Sequence, residues 1–255
     1  MALTAITREV SPSIGRCELS FHDRKPIDPT KAAAQHAAYE RCLQRLGVQV
    51  ISLPPILDLP DSVFVEDAAV VVDEVAILTR IGALSRRAES SALKETLSQF
   101  RSVKEMTAPA TLDGGDVLRV GPEFFVGNSE RTNCEGIKQL GEILSPLGYA
   151  VQPMELRNCL HLKSACSCLG DNIILVNPAF VDPAAFGEVE LIEVDTAEPA
   201  AANALLVNQT VIMPNCFPRT TSLLKRAGFK VETLDVSELQ KAEAGVTCCS
   251  LIFNA

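Results

Sequence analysis

A chain of 255 residues with 47% apolar and 22% charged residues has ordinary globular composition and is long enough to bury about three quarters of its unfolded surface. Its 23 Lys and Arg against 32 Asp and Glu leave a net charge of −9, which with no basic tract argues against a nucleic-acid backbone as partner and suits a small cationic ligand. No apolar run of about twenty residues exists, and MALTAITREVSPS lacks a basic start followed by an apolar core, so neither a membrane span nor a secretory signal is expected.

The nine cysteines, odd in number, are expected to be reduced thiols of a cytoplasmic protein, most of them small buried hydrophobes. No linker or low-complexity stretch divides the sequence, so one unit over 1–255 is expected.

In chain order, a strand is predicted at 4–9, a helix at 30–46 between Pro29 and Gly47, and a strand at 48–53. A hairpin follows at 69–78, turning at Asp73-Glu74, then an amphipathic helix at 85–100 and a strand at 103–106. The next group is a hairpin at 116–127 turning at Gly121-Pro122, a helix at 130–147 and a strand at 150–154. A third hairpin is predicted at 160–176, turning at Gly170-Asp171. A fourth at 203–214 turns at Asn208-Gln209 and precedes a helix at 218–227 and a strand at 229–234. The turns recur about every 50 residues and then more closely, the mark of a repeated unit of hairpin, helix and strand. The last strand, 245–253, is placed to complete a fifth unit with 4–9. Such units stack or close around an axis.

Several residues have both a structural and a chemical reading. In PDSVFVED (60–67), Asp61, Glu66 and Asp67 are either solvated loop acids or an anionic pocket for a cation, because neighbouring buried carboxylates are costly unless paired. Asp113 and Asp116 bracket Gly114-Gly115. They either cap their own turn or belong to a site that needs close backbone approach or positive φ. His161 lies in an expected apolar strand between Leu160 and Leu162, as a satisfied structural histidine or a fixed general acid-base; His22 and His36 read as surface residues. Cys159, His161, Cys166 and Cys168 are zinc-type ligands without a standard finger spacing. Cys248-Cys249 lies in the last strand, where adjacent residues face opposite ways, so one thiol can face an interior site. A nucleophilic thiol there needs its pKa lowered by a protonated histidine or a cationic substrate.

Taken together, PDSVFVED, the SRR at 85–87, TLDGGDV, the EFFVG-x-S-x-RTN at 123–133, LHLKS, the AAN at 201–203 and GVTCCS occur in an order that resembles the dimethylarginine dimethylaminohydrolase family. That family belongs to the pentein superfamily, and the resemblance runs from about Leu19 to Phe253. It implies an α/β fold, a five-bladed propeller of ββαβ units around a central channel. It implies hydrolysis of N-ω-methylated arginine to citrulline and an alkylamine, with no metal and no cofactor. By motif, Cys248 is the nucleophile, His161 the general acid-base and Asp113 the acid that orients it. Asp61, Glu66 and Asp67 line the substrate pocket, Arg86 and Arg131 bind the substrate α-carboxylate, and Leu19 lies on a loop over the pocket.

The residue types suit that chemistry. A guanidinium is held by charge-assisted hydrogen bonds from carboxylates, its charge stabilises a neighbouring thiolate, and arginine forks recognise a carboxylate. Two features bear on the family pattern: Ile81 in TRIGA stands where relatives carry proline, and the loop at 20–29 reads as a lid. Arginine deiminases of the superfamily are longer through an inserted domain, which 255 residues leave no room for. A hydrolase of another small guanidine, an amidinotransferase and a non-catalytic guanidine binder stay open as alternatives. The partner implied is a small guanidine amino acid bound by a monomer or homodimer, with no nucleic acid and no membrane.

Overall fold

A computed structural model describes residues 3–170 and 172–255; Asp171 of the third predicted turn lies outside the described residues. Among the described residues there are five three-stranded sheets. Four follow one rule, an antiparallel hairpin whose second strand pairs in parallel with a third. They are Ala69–Val71, Val75–Leu78 and Ser102–Glu105; Val117–Val120, Glu123–Asn128 and Ala150–Glu155; Cys166–Cys168, Ile173–Val176 and Glu190–Glu193; and Leu205–Val207, Thr210–Pro214 and Lys230–Leu234. The fifth sheet is assembled from both ends of the chain. Leu251–Asn254 pairs antiparallel with Leu3–Arg8, in register Leu3 to Asn254, and Leu3–Arg8 pairs in parallel with Gln49–Leu53.

Parallel pairing requires a crossover. Helix Pro29–Arg45 supplies it in the fifth sheet, capped by the Asp28 carboxylate on the Thr30 and Lys31 amides. Helix Cys134–Leu144, capped by Asn133, and helix Pro218–Arg226 do the same elsewhere. The middle strands, VAIL, EFFVGN, IILV and TVIMP, carry long apolar runs because helices or neighbouring sheets cover both faces.

Five apolar cores lie between neighbouring sheets and close the ring. Ile6, Leu251 and Phe253 pack with Ala76 and Leu78; Val70 and Ile77 pack with Val117 and Phe124. Leu118 and Phe125 pack with Cys166 and Ile174; Leu169 and Leu175 pack with Val211 and Met213. Ala5 and Tyr39 return to Val207 and Ile212. Residues from all five first strands, among them Val71, Leu118, Cys168, Leu206 and Ile252, line one central cavity of about 340 Å³. The architecture is therefore a five-bladed α/β propeller.

Some local expectations change. The predicted helix 85–100 breaks into Leu84–Arg86, Ala88–Ser91 and Lys94–Ser98, because Arg86, Glu89 and Ser90 turn inward to polar partners. The parallel strands Ile173–Val176 and Glu190–Glu193 of the third sheet are joined through a short 3-10 turn, Pro183–Phe186. His161 is not in a strand but N-terminal to the single turn Leu162–Ala165. Cys248 and Cys249 lie in the turn before Leu251–Asn254, so strand alternation does not separate them. His36 is buried at 2% exposure on the inner face of its helix, beside Glu40, rather than at the surface.

Candidate active site

The repeat explains where the site is. Each first strand is entered by a short segment at the same end of the channel, and those segments carry the polar residues. Glu66 and Asp67 precede Ala69–Val71, Asp113 and Asp116 precede Val117–Val120, and His161 and Lys163 precede Cys166–Cys168. Asn203 precedes Leu205–Val207, and Cys248 precedes Leu251–Asn254. Residues up to 182 positions apart in sequence (248 − 66) thus converge; the Glu66 amide, for example, donates to the Cys248 carbonyl at 3.2 Å.

Glu66 and Asp67 are not solvated loop acids. Val65, Ala68 and Ala69 are buried around them, and the two carboxylates are 7% and 4% exposed. Glu66 accepts from Lys163 Nζ at 2.6 Å and from the Thr247 hydroxyl at 2.8 Å. Asp67 accepts from the Gly115 amide at 3.1 Å and from Arg86 Nη1 at 2.9 Å. Burial alone would raise the Asp67 pKa, but His161 and Arg86 outweigh it and hold it below the ordinary carboxylate value. Lys163 and Glu66 line both the central cavity and a second cavity, the one that Cys248 and His161 share, so their ion pair stands between the two.

His161 Nε2 donates to Asp113 Oδ2 at 3.2 Å, and its Nδ1 lies 3.9 Å from Asp67 Oδ1. The second oxygen of Asp113 accepts from the Gly82 amide at 2.8 Å, so neither aspartate of the Gly-Gly motif merely caps its own turn. Asp116 accepts from the Leu162 amide at 2.9 Å and from the Ser129 hydroxyl at 2.6 Å. The glycines serve close approach and not positive φ. A Cβ on Gly114 would lie 1.9 Å from the Glu66 carbonyl oxygen, and one on Gly115 would lie 2.6 Å from His161 Nδ1. Burial disfavours the charged imidazole, but Asp67, Asp116 and Asp113 raise the His161 pKa to about 9. Asp67, Asp113 and His161 also lie close enough to hold a cation. The zinc-type set Cys159, His161, Cys166 and Cys168 forms no such group among the described residues.

Cys248 lies half-buried on the wall of a cavity of about 190 Å³ that Glu66, Gly115, His161, Asn203 and Gly245 also line. Burial and the charges of Glu66 and Asp67 push its thiol up to about 12, so the unliganded site holds a protonated thiol. Cys249 is 1% exposed and packs into the core with Tyr39 and Val246.

The other predicted residues, Leu19, Asp61, Arg86 and Arg131, are not among those that line this cavity. Arg86 is buried between Asp67 and Glu89, at 2.9 Å to each. Arg131 donates to the Ser20 hydroxyl at 2.9 Å, and Asp61 accepts from the Glu18 amide at 3.1 Å. Leu19 and Cys248 both pack against the core that holds Ala5, Tyr39, Val207 and Ile212.

Asn203, Lys163 and Thr247 were not expected to hold the site, although AAN and LHLKS stood out as motifs. Asn203 uses all its capacity. Its amide nitrogen donates to the Lys163 carbonyl and Thr247 hydroxyl at 2.9 and 3.0 Å, and its oxygen accepts from the Val246 and Thr247 amides at 2.7 and 3.2 Å. Asn203→Ala would strand buried amides of the turn that carries Cys248. It is expected to cost about 2–4 kcal/mol in urea unfolding and to lower kcat; unchanged stability would contradict this role.

The family model described as "N,N dimethylarginine dimethylhydrolase, eukaryotic" matches residues 16–192. The chain is 42% identical over 236 residues to a curated Pseudomonas aeruginosa N(G),N(G)-dimethylarginine dimethylaminohydrolase, covering 92% of each chain. It superposes with a TM-score of 0.95 and 39% identity on the crystal structure of a cysteine-to-serine variant of the P. aeruginosa enzyme complexed with citrulline, covering 99% of this chain and 100% of that one. The same values hold for a histidine-to-glycine variant of a dimethylarginine dimethylaminohydrolase, an adduct with S-methyl-L-thiocitrulline. With the five-bladed fold and the ordered motifs, these likenesses place the chain in the dimethylarginine dimethylaminohydrolase family.

Proposed function

We propose that the chain hydrolyses N-ω-methylated arginine to citrulline and methylamine or dimethylamine, through a covalent intermediate on Cys248. The observation that carries this reading is the meeting of Cys248, His161 and Glu66 at one cavity, with Asp67 and Asp113 against the histidine, in a chain 42% identical to a dimethylarginine dimethylaminohydrolase.

The guanidinium enters beside Glu66 and Asp67, whose oxygens retain accepting lone pairs after their present partners are served. Its positive charge offsets the two carboxylates that keep the Cys248 thiol protonated, so the thiolate forms with substrate bound. The thiolate attacks the guanidinium carbon and forms a C–S bond. The His161 imidazolium, held by Asp113, donates its proton to the alkylated nitrogen; the C–N bond breaks and the amine departs. Water then attacks the thiouronium carbon, His161 takes a proton, and the C–S bond breaks to return Cys248 and release the ureido product. The related adduct with S-methyl-L-thiocitrulline supports the covalent route. By the roles their motifs carry in the family, Arg86 and Arg131 take the substrate α-carboxylate, Asp61 its amino end and Leu19 its cover; Arg86 must release Asp67 or Glu89 to do so. All nine cysteines are free thiols, which supports a cytoplasmic setting. One catalytic unit spans 1–255 and works as a monomer or homodimer.

A panel of arginine, monomethyl- and dimethylarginine and agmatine, with ureido product and released amine both quantified, tests the reading. Methylarginines should give ureido product and amine in equal amounts. Turnover confined to arginine would indicate a deiminase, and turnover that requires an added amine would indicate an amidinotransferase.

A further inference from the structure

We propose that Glu243 is a positioning residue whose carboxylate clamps the Ser20–His22 segment closed over the site and thereby sets the affinity for the amino-acid end of the substrate. The proposal rests on the functional reading above.

Three successive backbone amides converge on this one side chain. The Ser20 amide donates to both oxygens at 3.1 and 3.0 Å, and the Phe21 and His22 amides donate to Oε1 at 2.6 Å each. Consecutive N–H groups aimed at a common point form an anion-binding concavity, and bonds to a charged acceptor are about twice as strong as neutral ones. The segment belongs to no sheet or helix, so no backbone ladder holds it there. Phe21, His22 and Glu243 themselves line the cavity with Cys248, which makes the clamp part of the wall of the site.

Two further contacts tie the same loop to substrate-side residues: the Glu18 amide on Asp61 and Arg131 on the Ser20 hydroxyl, at 3.1 and 2.9 Å. Glu243 sits in the left-handed region at φ +60, which a non-glycine residue occupies only where surrounding structure holds it. It immediately precedes the Ala244–Cys248 turn, so the clamp is anchored to the segment that carries the nucleophile. When a loop must be closed for binding, apparent affinity falls by the fraction of time it is open. Loss of the clamp should therefore act on KM more than on kcat.

The experiment compares Glu243→Ala and Glu243→Gln with the wild type. It measures kcat and KM for dimethylarginine, kcat/KM for an N,N-dimethyl-N′-alkylguanidine lacking the α-amino and α-carboxylate groups, and substrate-free amide exchange at Ser20, Phe21 and His22. For Glu243→Ala, KM for dimethylarginine should rise roughly tenfold with kcat within about threefold, and exchange at the three amides should accelerate by a similar factor. The truncated guanidine should react as with wild type. Glu243→Gln keeps an oxygen acceptor without the charge and should fall between, at roughly threefold. Wild-type exchange and KM in a folded Glu243→Gln or Glu243→Ala protein would overturn the clamp, as would equal losses on both substrates. Failure of the wild type to turn over dimethylarginine would instead overturn the functional reading, because the exchange measurement needs no substrate.

Discussion

Cys248→Ser should lower kcat for dimethylarginine by on the order of 10⁴-fold or more, while Cys249→Ser should leave it within about threefold. A serine hydroxyl is a far weaker nucleophile, and no neighbour of residue 248 could ionise it, since burial and two carboxylates already push the thiol up to about 12. Cys249, 1% exposed among Tyr39 and Val246, reaches no cavity. Its replacement buries a hydroxyl in an apolar site and should cost about 1–2 kcal/mol of stability. Steady-state kinetics and urea unfolding on the two variants separate these roles, and the reverse pattern would move the nucleophile to Cys249.

His161→Gly should lower kcat by on the order of 10³- to 10⁴-fold, because it removes the proton donor for the amine and the base for water. A thermodynamic signature accompanies the loss. The imidazole is raised from its ordinary 6.5 to about 9 in the folded protein. The folded state therefore binds the proton more tightly than the unfolded chain. The resulting stabilisation is fully present below about pH 6.5, falls as pH rises from there, and is gone above about pH 9. Its size is on the order of 3 kcal/mol. Urea unfolding of the wild type from pH 6 to 9.5 should show this decline, and the His161→Gly protein should lack it. A wild-type profile flat across that window would contradict the paired, protonated histidine.

The repeat was legible because it is local. Alternating apolar hairpins, turn residues such as Asn208-Gln209 (φ +44 and +68) and capped helices leave patterns a few residues long. The closing of the fifth sheet by Leu251–Asn254 and Leu3–Arg8 was also legible, since each end carries a lone strand. The site was legible as motifs but not as geometry. An apolar neighbourhood suggested a strand for His161, yet Asp116 captures the Leu162 amide and turns the chain into one helical turn. Likewise Asn203 captures the Val246 and Thr247 amides and holds Cys248 in a turn before the strand begins. These are long-range side-chain bonds to backbone, and no window of sequence contains both partners. The break of 85–100 has the same cause, because the Arg86 partner Asp67 lies nineteen positions away.

The most direct test of the covalent route is the mass of the protein caught during turnover. Wild type is mixed with N-ω-methylarginine and His161→Gly with S-methyl-L-thiocitrulline, whose thiolate leaving group needs no proton donor, and both are quenched in acid, weighed intact and digested. One adduct per chain on the peptide containing Cys248 is predicted, persisting in His161→Gly, where hydrolysis is blocked. Wild-type turnover with no adduct, or an adduct on another cysteine, would contradict the account.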